Sequence, residues 1–386
     1  MAVEFLSHRL RRGEMTLAEK LWAMSWSFIL LITLTASVGF LMLYSAANGS
    51  FDPWASRQMA RYGVGMIFML TLALIDIRLM IRYAYVIYGI ALVLLVAVEI
   101  KGTVGMGAQR WIDLGFFQLQ PSELMKIALV LALARYFHGS TIEDVRRMGY
   151  LFTPVMMVVS PAVLVLIQPD LGTALMLLMG SAVIAFAAGV RKLVFGIVIS
   201  AAVAAVPVGW QFLRTYQKNR VLTFLNPERD PLGAGYHITQ SKIALGSGGL
   251  FGKGFMQGTQ SHLNFLPERQ TDFIFTMLGE ELGMVGCLAL IGLYLLILVY
   301  GFVIALRCRH HFGRLVAIGI TTTFFLYVFI NIAMVMGLIP VVGVPLPMIS
   351  YGGTAMLTLM IGFGILLSVH IHRDVQIGRR GGYDDP

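Results

Sequence analysis

Ten long apolar runs constrain this chain more than any other feature. Crossing the hydrocarbon core of a bilayer as a helix takes about 20 mostly apolar residues. Runs near that length fall at 21–44, 62–77, 83–100, 121–137, 151–167, 171–190, 193–213, 273–306, 315–336 and 353–372. The second is short and reaches span length only if it extends through 59–61. The eighth exceeds one crossing, so it should tilt or project beyond the lipid. Composition agrees: 58% of residues are hydrophobic and 13% charged, against about 45–50% and about 25% in soluble domains. So few charges could not cover a water-facing surface, and the same balance excludes intrinsic disorder. The expected fold is all-α, a polytopic membrane protein of ten transmembrane helices.

The basic residues orient the set. With the N-terminus in the cytoplasm, the inner segments hold 17 Lys and Arg and the short outer loops hold four: Arg57, Arg61, Lys101 and Arg110. This follows the tendency of cytoplasmic loops to collect basic residues, and it accounts for the net charge of +9 without nucleic acid. The organisation read from this is a cytoplasmic N-terminal segment at 1–20, a membrane domain at 21–372 and a cytoplasmic tail at 373–386. The first apolar run is too long for a signal peptide and lacks a small-residue cleavage pattern, so it should remain as a helix. Cys287 and Cys308 lie about 31 Å apart along a continuous helix, which excludes a disulfide between them. The histidines show no metal-binding spacing.

The outer side carries the unusual sequence. The loop 214–271 is too long for a plain connector. It holds seven basic and three acidic residues, glycine clusters and a short amphipathic helix at 237–245. Such a surface suits a phosphate-bearing lipid headgroup, and it equally suits a folded cap over the bundle. Asp272 opens the eighth run. With Thr271 as N-cap, an aspartate there suits the helix dipole. It also puts a carboxylate at the water–membrane boundary, where it could act as a general base. Pro121 and Glu123 open the fourth run as a first helical turn should. Lys126 lies at i+3 on the face of Glu123, and an ionisable residue inside a span calls for a partner and a function. Glu123 is the nearest partner and Asp272 another. Arg110 lies in the loop before that helix and could face the same cavity. Asp170 reads as a turn or cap residue. Either Glu280 or Glu281 could face the bundle. The last outer loop, 340–354, has three prolines that should stiffen it into a re-entrant or hairpin shape.

The segment Leu266-Pro267-Glu268-Arg269-Gln270-Thr271-Asp272-Phe273, followed by Gly279-Glu280-Glu281-Leu282-Gly283, resembles the signature of the SEDS family (shape, elongation, division and sporulation). Gln120-Pro121-Ser122-Glu123 with Lys126, Gln168-Pro169-Asp170-Leu171-Gly172-Thr173, and Pro347 with Ser350-Tyr351-Gly352-Gly353 agree in order and spacing. The likeness covers roughly residues 20–372 and leans toward the elongation member, RodA, rather than the division member, FtsW. Gln270 stands where histidine is expected in relatives, which puts in doubt a proton relay at that position but not the aspartate.

The resemblance implies a ten-helix peptidoglycan glycosyltransferase of the bacterial inner membrane that polymerises lipid II on the outer face beside a class B penicillin-binding protein. It places the essential aspartate on Asp272 and a polar pair on Glu123 and Lys126. Lys126, Arg110, Arg220, Lys242 and Arg269 are the cations expected to meet the substrate's pyrophosphate, and Ser350 completes the substrate-binding set. A divalent cation, Mg²⁺ or Mn²⁺, is implied by the resemblance alone, with no ligand set readable and no organic cofactor expected. Two other readings stand beside this one: a flippase for lipid-linked precursors, and a scaffold that only docks the transpeptidase. Polar groups crowding at one end of the bundle, rather than at its midplane, favour the enzyme.

Overall fold

The computed structural model describes residues 15–105, 108–113, 115, 118–212, 215–226, 234–263, 265 and 268–378. Among them are ten helices of 16 residues or more: α1 Trp26–Ala46, α2 Ala55–Leu74, α3 Ile77–Lys101, α4 Pro121–His138, α5 Phe152–Ile167, α6 Leu171–Ala187, α7 Lys192–Phe212, α8 Ile274–Arg307, α9 His311–Val335 and α10 Gly353–Ile371. Each overlaps one apolar run. The second run was read too short, because α2 begins at Ala55, where Arg57 and Arg61 interrupt the apolar pattern without breaking the helix. Among the described residues, six helices are long and apolar enough to cross a membrane, and Leu171–Ala187 and Lys192–Pro207 are shorter apolar helices. The protein is a mostly helical, multi-pass membrane protein.

Local chemistry sets the helix starts. Asp76 caps α3 by accepting from Arg78 N at 2.8 Å, and Asp170 caps α6 by accepting from Thr173 N at 3.1 Å. Each satisfies a backbone donor that the first turn leaves without a partner. Pro121 occupies the first turn of α4, where its missing N–H costs nothing. His310 caps α9 through Nδ1, which accepts from Gly313 N at 2.9 Å.

The centre of the bundle is formed by α4, α9 and α10, which are buried on most of their faces. An aromatic stack ties four helices together. Phe363 of α10 meets Phe28 of α1 edge-on at 5.5 Å and Phe324 of α9 at 5.4 Å, and Phe324 meets Tyr294 of α8 at 5.7 Å. Edge-to-face pairs of this kind contribute about 0.5–1.5 kcal/mol beyond area burial.

Helix α8 is 34 residues long but is not the single tilted rod expected from its length. Gly283 takes φ 66° and ψ −163° and breaks it. Beyond the break, Met284 N and Val285 N donate to Gly249 O and Leu250 O at 3.0 and 3.1 Å. Before it, Glu280 O and Glu281 O accept from Lys253 N and Gly254 N at 3.0 and 3.1 Å. The 248–254 segment therefore supplies the hydrogen bonds that the helix gives up. A side chain at Gly283 would run into the backbone of Leu250 and Gly252.

Two further elements lie at the same end of the bundle. A helix at Ala234–Ser247, longer than the 237–245 expected, packs on α8. A small antiparallel sheet, not foreseen, links α3 to α4: β1 Thr103–Gly105, β2 Ala108–Asp113 and β3 Gln118–Leu119, in the order β1-β2-β3.

Burial pushes the His310 imidazole down to about 4, so it is neutral while it caps α9. A histidine whose folded pKa lies below its unfolded value makes the fold less stable as pH falls between the two. The melting temperature in detergent should therefore drop from about pH 6.5 toward pH 4, and His310→Asn, which retains a capping acceptor, should flatten part of that slope.

Candidate active site

The first two turns of α4 bury two opposite charges. Glu123 is 4% and Lys126 3% exposed, and Lys126 Nζ lies 2.6 Å from Glu123 Oε1. Their i,i+3 spacing brings them to one face. Tyr327 of α9 completes the set: Lys126 Nζ donates to its hydroxyl, which donates to Glu123 Oε2. The three side chains form a closed, neutral ring in the most buried part of the bundle. A small cavity of about 10 Å³ adjoins Lys126, with Ser181 and Thr323 in its wall.

Asp272 is tied by its backbone to the same helix, α9. Asn331 stands four residues beyond Tyr327 on α9, which places it about 6 Å further along the same face. Its Nδ2 donates to Asp272 O at 3.0 Å and to Val344 O at 2.7 Å. The two preceding carbonyls are also held: Thr271 O accepts from Ser350 Oγ at 2.6 Å, and Gln270 O accepts from Tyr351 N at 2.8 Å. Ser350 Oγ in turn accepts from Leu346 N at 2.7 Å, and Gln58 Nε2 donates to Ser350 O at 2.9 Å. Three successive backbone carbonyls are thus fixed, two against the 344–351 loop and the third against α9, while Asp272 keeps partial exposure. Gly343, at φ +72°, leaves room beside Oδ2: a Cβ there would stand 3.5 Å from it.

Thr271 is not the helix cap expected of it. Its hydroxyl donates to Glu268 Oε2 at 2.9 Å, and the cap position falls on Phe273, with no side-chain cap bond. The reason is the fold-back at Glu268, whose φ of +56° turns the chain before the helix starts.

The expected cations are mostly engaged by the protein. Arg110, on β2, donates from Nε to Gln168 O at 3.0 Å and from Nη2 to Pro169 O. It braces the turn that Asp170 caps. Arg269 is 8% exposed and donates from Nη1 to Ser261 O, and burial pushes its guanidinium below the usual arginine range. Lys126 belongs to the ring with Glu123 and Tyr327. Lys242 is exposed on the 234–247 helix, where its chain end lies against Gly337 just past α9. Arg220 lies on the helix Thr215–Leu225, with its side chain outside the described residues. Among the described residues, no group of three or more His, Cys, Asp and Glu side chains is placed to hold a metal ion. A cation that bridges phosphates needs only one or two protein carboxylates.

Sequence reasoning missed Tyr327, Asn331 and Gln58. All three are buried polar groups in or beside apolar runs. That pattern was itself the signal available, because a polar side chain in a span needs a partner.

The model of the FtsW/RodA/SpoVE cell cycle protein family matches residues 25–375. The chain belongs to this family. It is 45% identical over 347 residues to peptidoglycan glycosyltransferase MrdB of Escherichia coli K12, covering 89% of this chain and 93% of that one. Its fold matches a chain from a peptidoglycan synthase complex that coordinates polymerization and crosslinking, at TM-score 0.79 and 34% identity, covering 91% and 98% of the two chains. It also matches Thermus thermophilus rod shape determining protein RodA, at TM-score 0.68 and 30% identity, covering 94% and 98%. The SEDS resemblance and the inner-membrane class follow from these matches.

The buried ring yields a double-mutant test. Lys126→Met strands the Glu123 charge and should cost about 3–5 kcal/mol of stability. Adding Glu123→Met should restore most of that, since no unpaired charge remains. Tyr327→Phe, which removes only the shared hydroxyl, should cost about 1–3 kcal/mol. Thermal unfolding in detergent reads all three.

Proposed function

We propose that the Asp272 end of the bundle is where this chain, a peptidoglycan glycosyltransferase of the RodA/MrdB kind, extends glycan strands from lipid II. In this reading all ten long helices cross the membrane, both termini face the cytoplasm and Asp272 faces the periplasm. Two lipid-linked disaccharides meet at the rim. The Asp272 carboxylate takes the proton from the 4-hydroxyl of the acceptor's N-acetylglucosamine. That oxygen attacks the anomeric carbon of the donor's N-acetylmuramic acid. The carbon–oxygen bond to undecaprenyl pyrophosphate breaks on the opposite face, so the anomeric configuration inverts and the pyrophosphate carries away the electron pair.

The observation that carries this reading is the contrast between Asp272 and the other carboxylates near it. Glu123, Glu280 and Glu281 are buried. Asp272 is only partly buried, and the backbone carbonyls of Gln270, Thr271 and Asp272 itself are each held by a hydrogen bond. A general base needs this arrangement: a fixed position and access to the substrate proton. Glu123 and Lys126 act beneath it by holding α4 and α9 together through Tyr327. Lys242 is the described cation from the expected set that is exposed, which suits it to the leaving pyrophosphate. A divalent cation bound by the phosphates would add to the same charge balance. A class B penicillin-binding protein is the proposed partner, cross-linking the strands this chain makes. Nothing in the arrangement favours the flippase or scaffold readings.

The test is polymer formation from pure lipid II by the purified chain, alone and with its penicillin-binding partner. Asp272→Asn should lower the rate by about 10²–10⁴-fold, the usual contribution of a positioned base, with the melting temperature unchanged. A variant that polymerises at the parent rate would remove Asp272 from the mechanism.

A further inference from the structure

The paired glutamates of α8 have no part in the reaction as described, yet both are fully buried. Glu280 gathers one segment of chain around its carboxylate. Oε1 accepts from Lys253 Nζ at 2.8 Å, Gln260 N at 2.8 Å and Thr259 Oγ1 at 3.2 Å. Oε2 accepts from Ser261 Oγ at 3.0 Å and Ser261 N at 3.2 Å. Glu281 takes the next residue of that segment: His262 Nε2 lies 3.1 Å from its Oε1, which also accepts from Ser45 Oγ of α1 at 2.6 Å. The other ring nitrogen, Nδ1, lies 2.6 Å from Asn48 Oδ1, in the turn that follows α1.

The far side of the same short segment holds the chain just before Asp272. Ser261, fixed to Glu280 by its N–H and hydroxyl, accepts at its carbonyl from Arg269 Nη1. A closed ring results. It runs from Ser261 to Arg269 through the guanidinium, from Arg269 past Asp272 to Glu280 and Glu281 along the chain, and back to Ser261 and His262 through the carboxylates. Asp272 sits on the covalent arc, three residues after one tie and eight before the other. Gly258 allows the approach, since a Cβ there would stand 2.9 Å from Glu280 Oε2.

We propose that Glu280 and Glu281 are positioning residues for Asp272, acting through Ser261, His262 and Arg269 to fix where its carboxylate meets the acceptor hydroxyl. This rests on the glycosyltransferase reading for its kinetic consequence but not for its structural one. It also reassigns Arg269 from touching substrate to holding the base in place. A displacement of about 1 Å at a reacting group can cost about 10²-fold in rate, so modest loosening of the ring is enough to matter.

The experiment compares the full-length parent with Glu280→Gln, Arg269→Met, Arg269→Lys and the double variant Glu280→Gln/Arg269→Met, in complex with the penicillin-binding partner. Lys253→Met, which removes only the half-exposed cation, stands in for Glu280→Gln if that variant does not fold. Hydrogen–deuterium exchange over 259–273 and at Tyr351, whose amide is bonded to Gln270, reads the ring directly without any catalysis. The expected result is faster exchange in each single variant. In lipid II polymerisation, kcat should fall about tenfold or more with KM changed less than about threefold, because only the reacting geometry is disturbed. Arg269→Lys, which still offers a donor to Ser261 O, should recover much of the loss seen in Arg269→Met. The double variant should be no worse than the poorer single one, as expected of residues that work as a unit. Exchange at 268–273 that matches the parent in Glu280→Gln or Lys253→Met and in Arg269→Met would overturn the proposal, as would losses in kcat that multiply in the double variant. A parent that makes no polymer overturns the glycosyltransferase reading instead, and exchange still decides the ring.

Discussion

A charge taken out of water must find its counterpart within reach, and this bundle is arranged around that requirement. An unpaired buried carboxylate costs several kcal/mol, so each one dictates what stands beside it. Glu123 fixes Lys126 and Tyr327, and through Tyr327 it fixes the rotation of α9 against α4. Glu280 fixes Lys253 and the 259–261 segment, and Glu281 fixes His262. The apolar helices supply the bulk of the packing, but apolar faces tolerate many similar registers. The ion pairs select one of them.

That selection converges on a single face of α9. Tyr327 and Asn331 are one turn apart. The first closes the ion pair beneath the site and the second holds the backbone of Asp272 above it. Phe324, on the same helix, anchors the aromatic stack to α10 and α8. One helix therefore carries the core packing, the buried charge and the placement of Asp272. The loops that complete the site are tied to this frame by single well-placed acceptors, such as Ser350 O to Gln58 and Pro347 O to Tyr294.

Much of the frame is legible in the sequence because it depends on local patterns. The ten apolar runs mark the ten long helices, since hydropathy and span length act within one segment. Glu123 and Lys126 could be paired at i,i+3 because a helix fixes that geometry. What escaped depends on contacts between distant residues. Tyr327 lies 201 positions from Lys126, and nothing local distinguishes it from a core tyrosine. The break at Gly283 is invisible without the 248–254 segment that supplies its hydrogen bonds. Thr271 has the residue type of a cap, but the left-handed turn at Glu268 shifts the helix start to Ile274. Arg110 and Arg269 look like surface cations by charge and loop placement, and only the fold shows that backbone carbonyls already occupy them.

The use of those arginines bears on how the site manages charge. A guanidinium bound to carbonyls stiffens the loop it belongs to, but it has fewer hydrogens to offer a pyrophosphate. Arg110 stiffens the 168–170 turn and Arg269 stiffens the approach to Asp272, so both contribute to precision rather than to attraction. In the proposed reaction, neutralising the leaving group then falls to groups that stay exposed, such as Lys242, and to whatever cation the phosphates bring. Separating the two tasks has a physical advantage. In the proposed reaction, the buried charge that positions Asp272 is kept apart from the changing charge of the substrate, so the geometry there need not shift as each pyrophosphate departs.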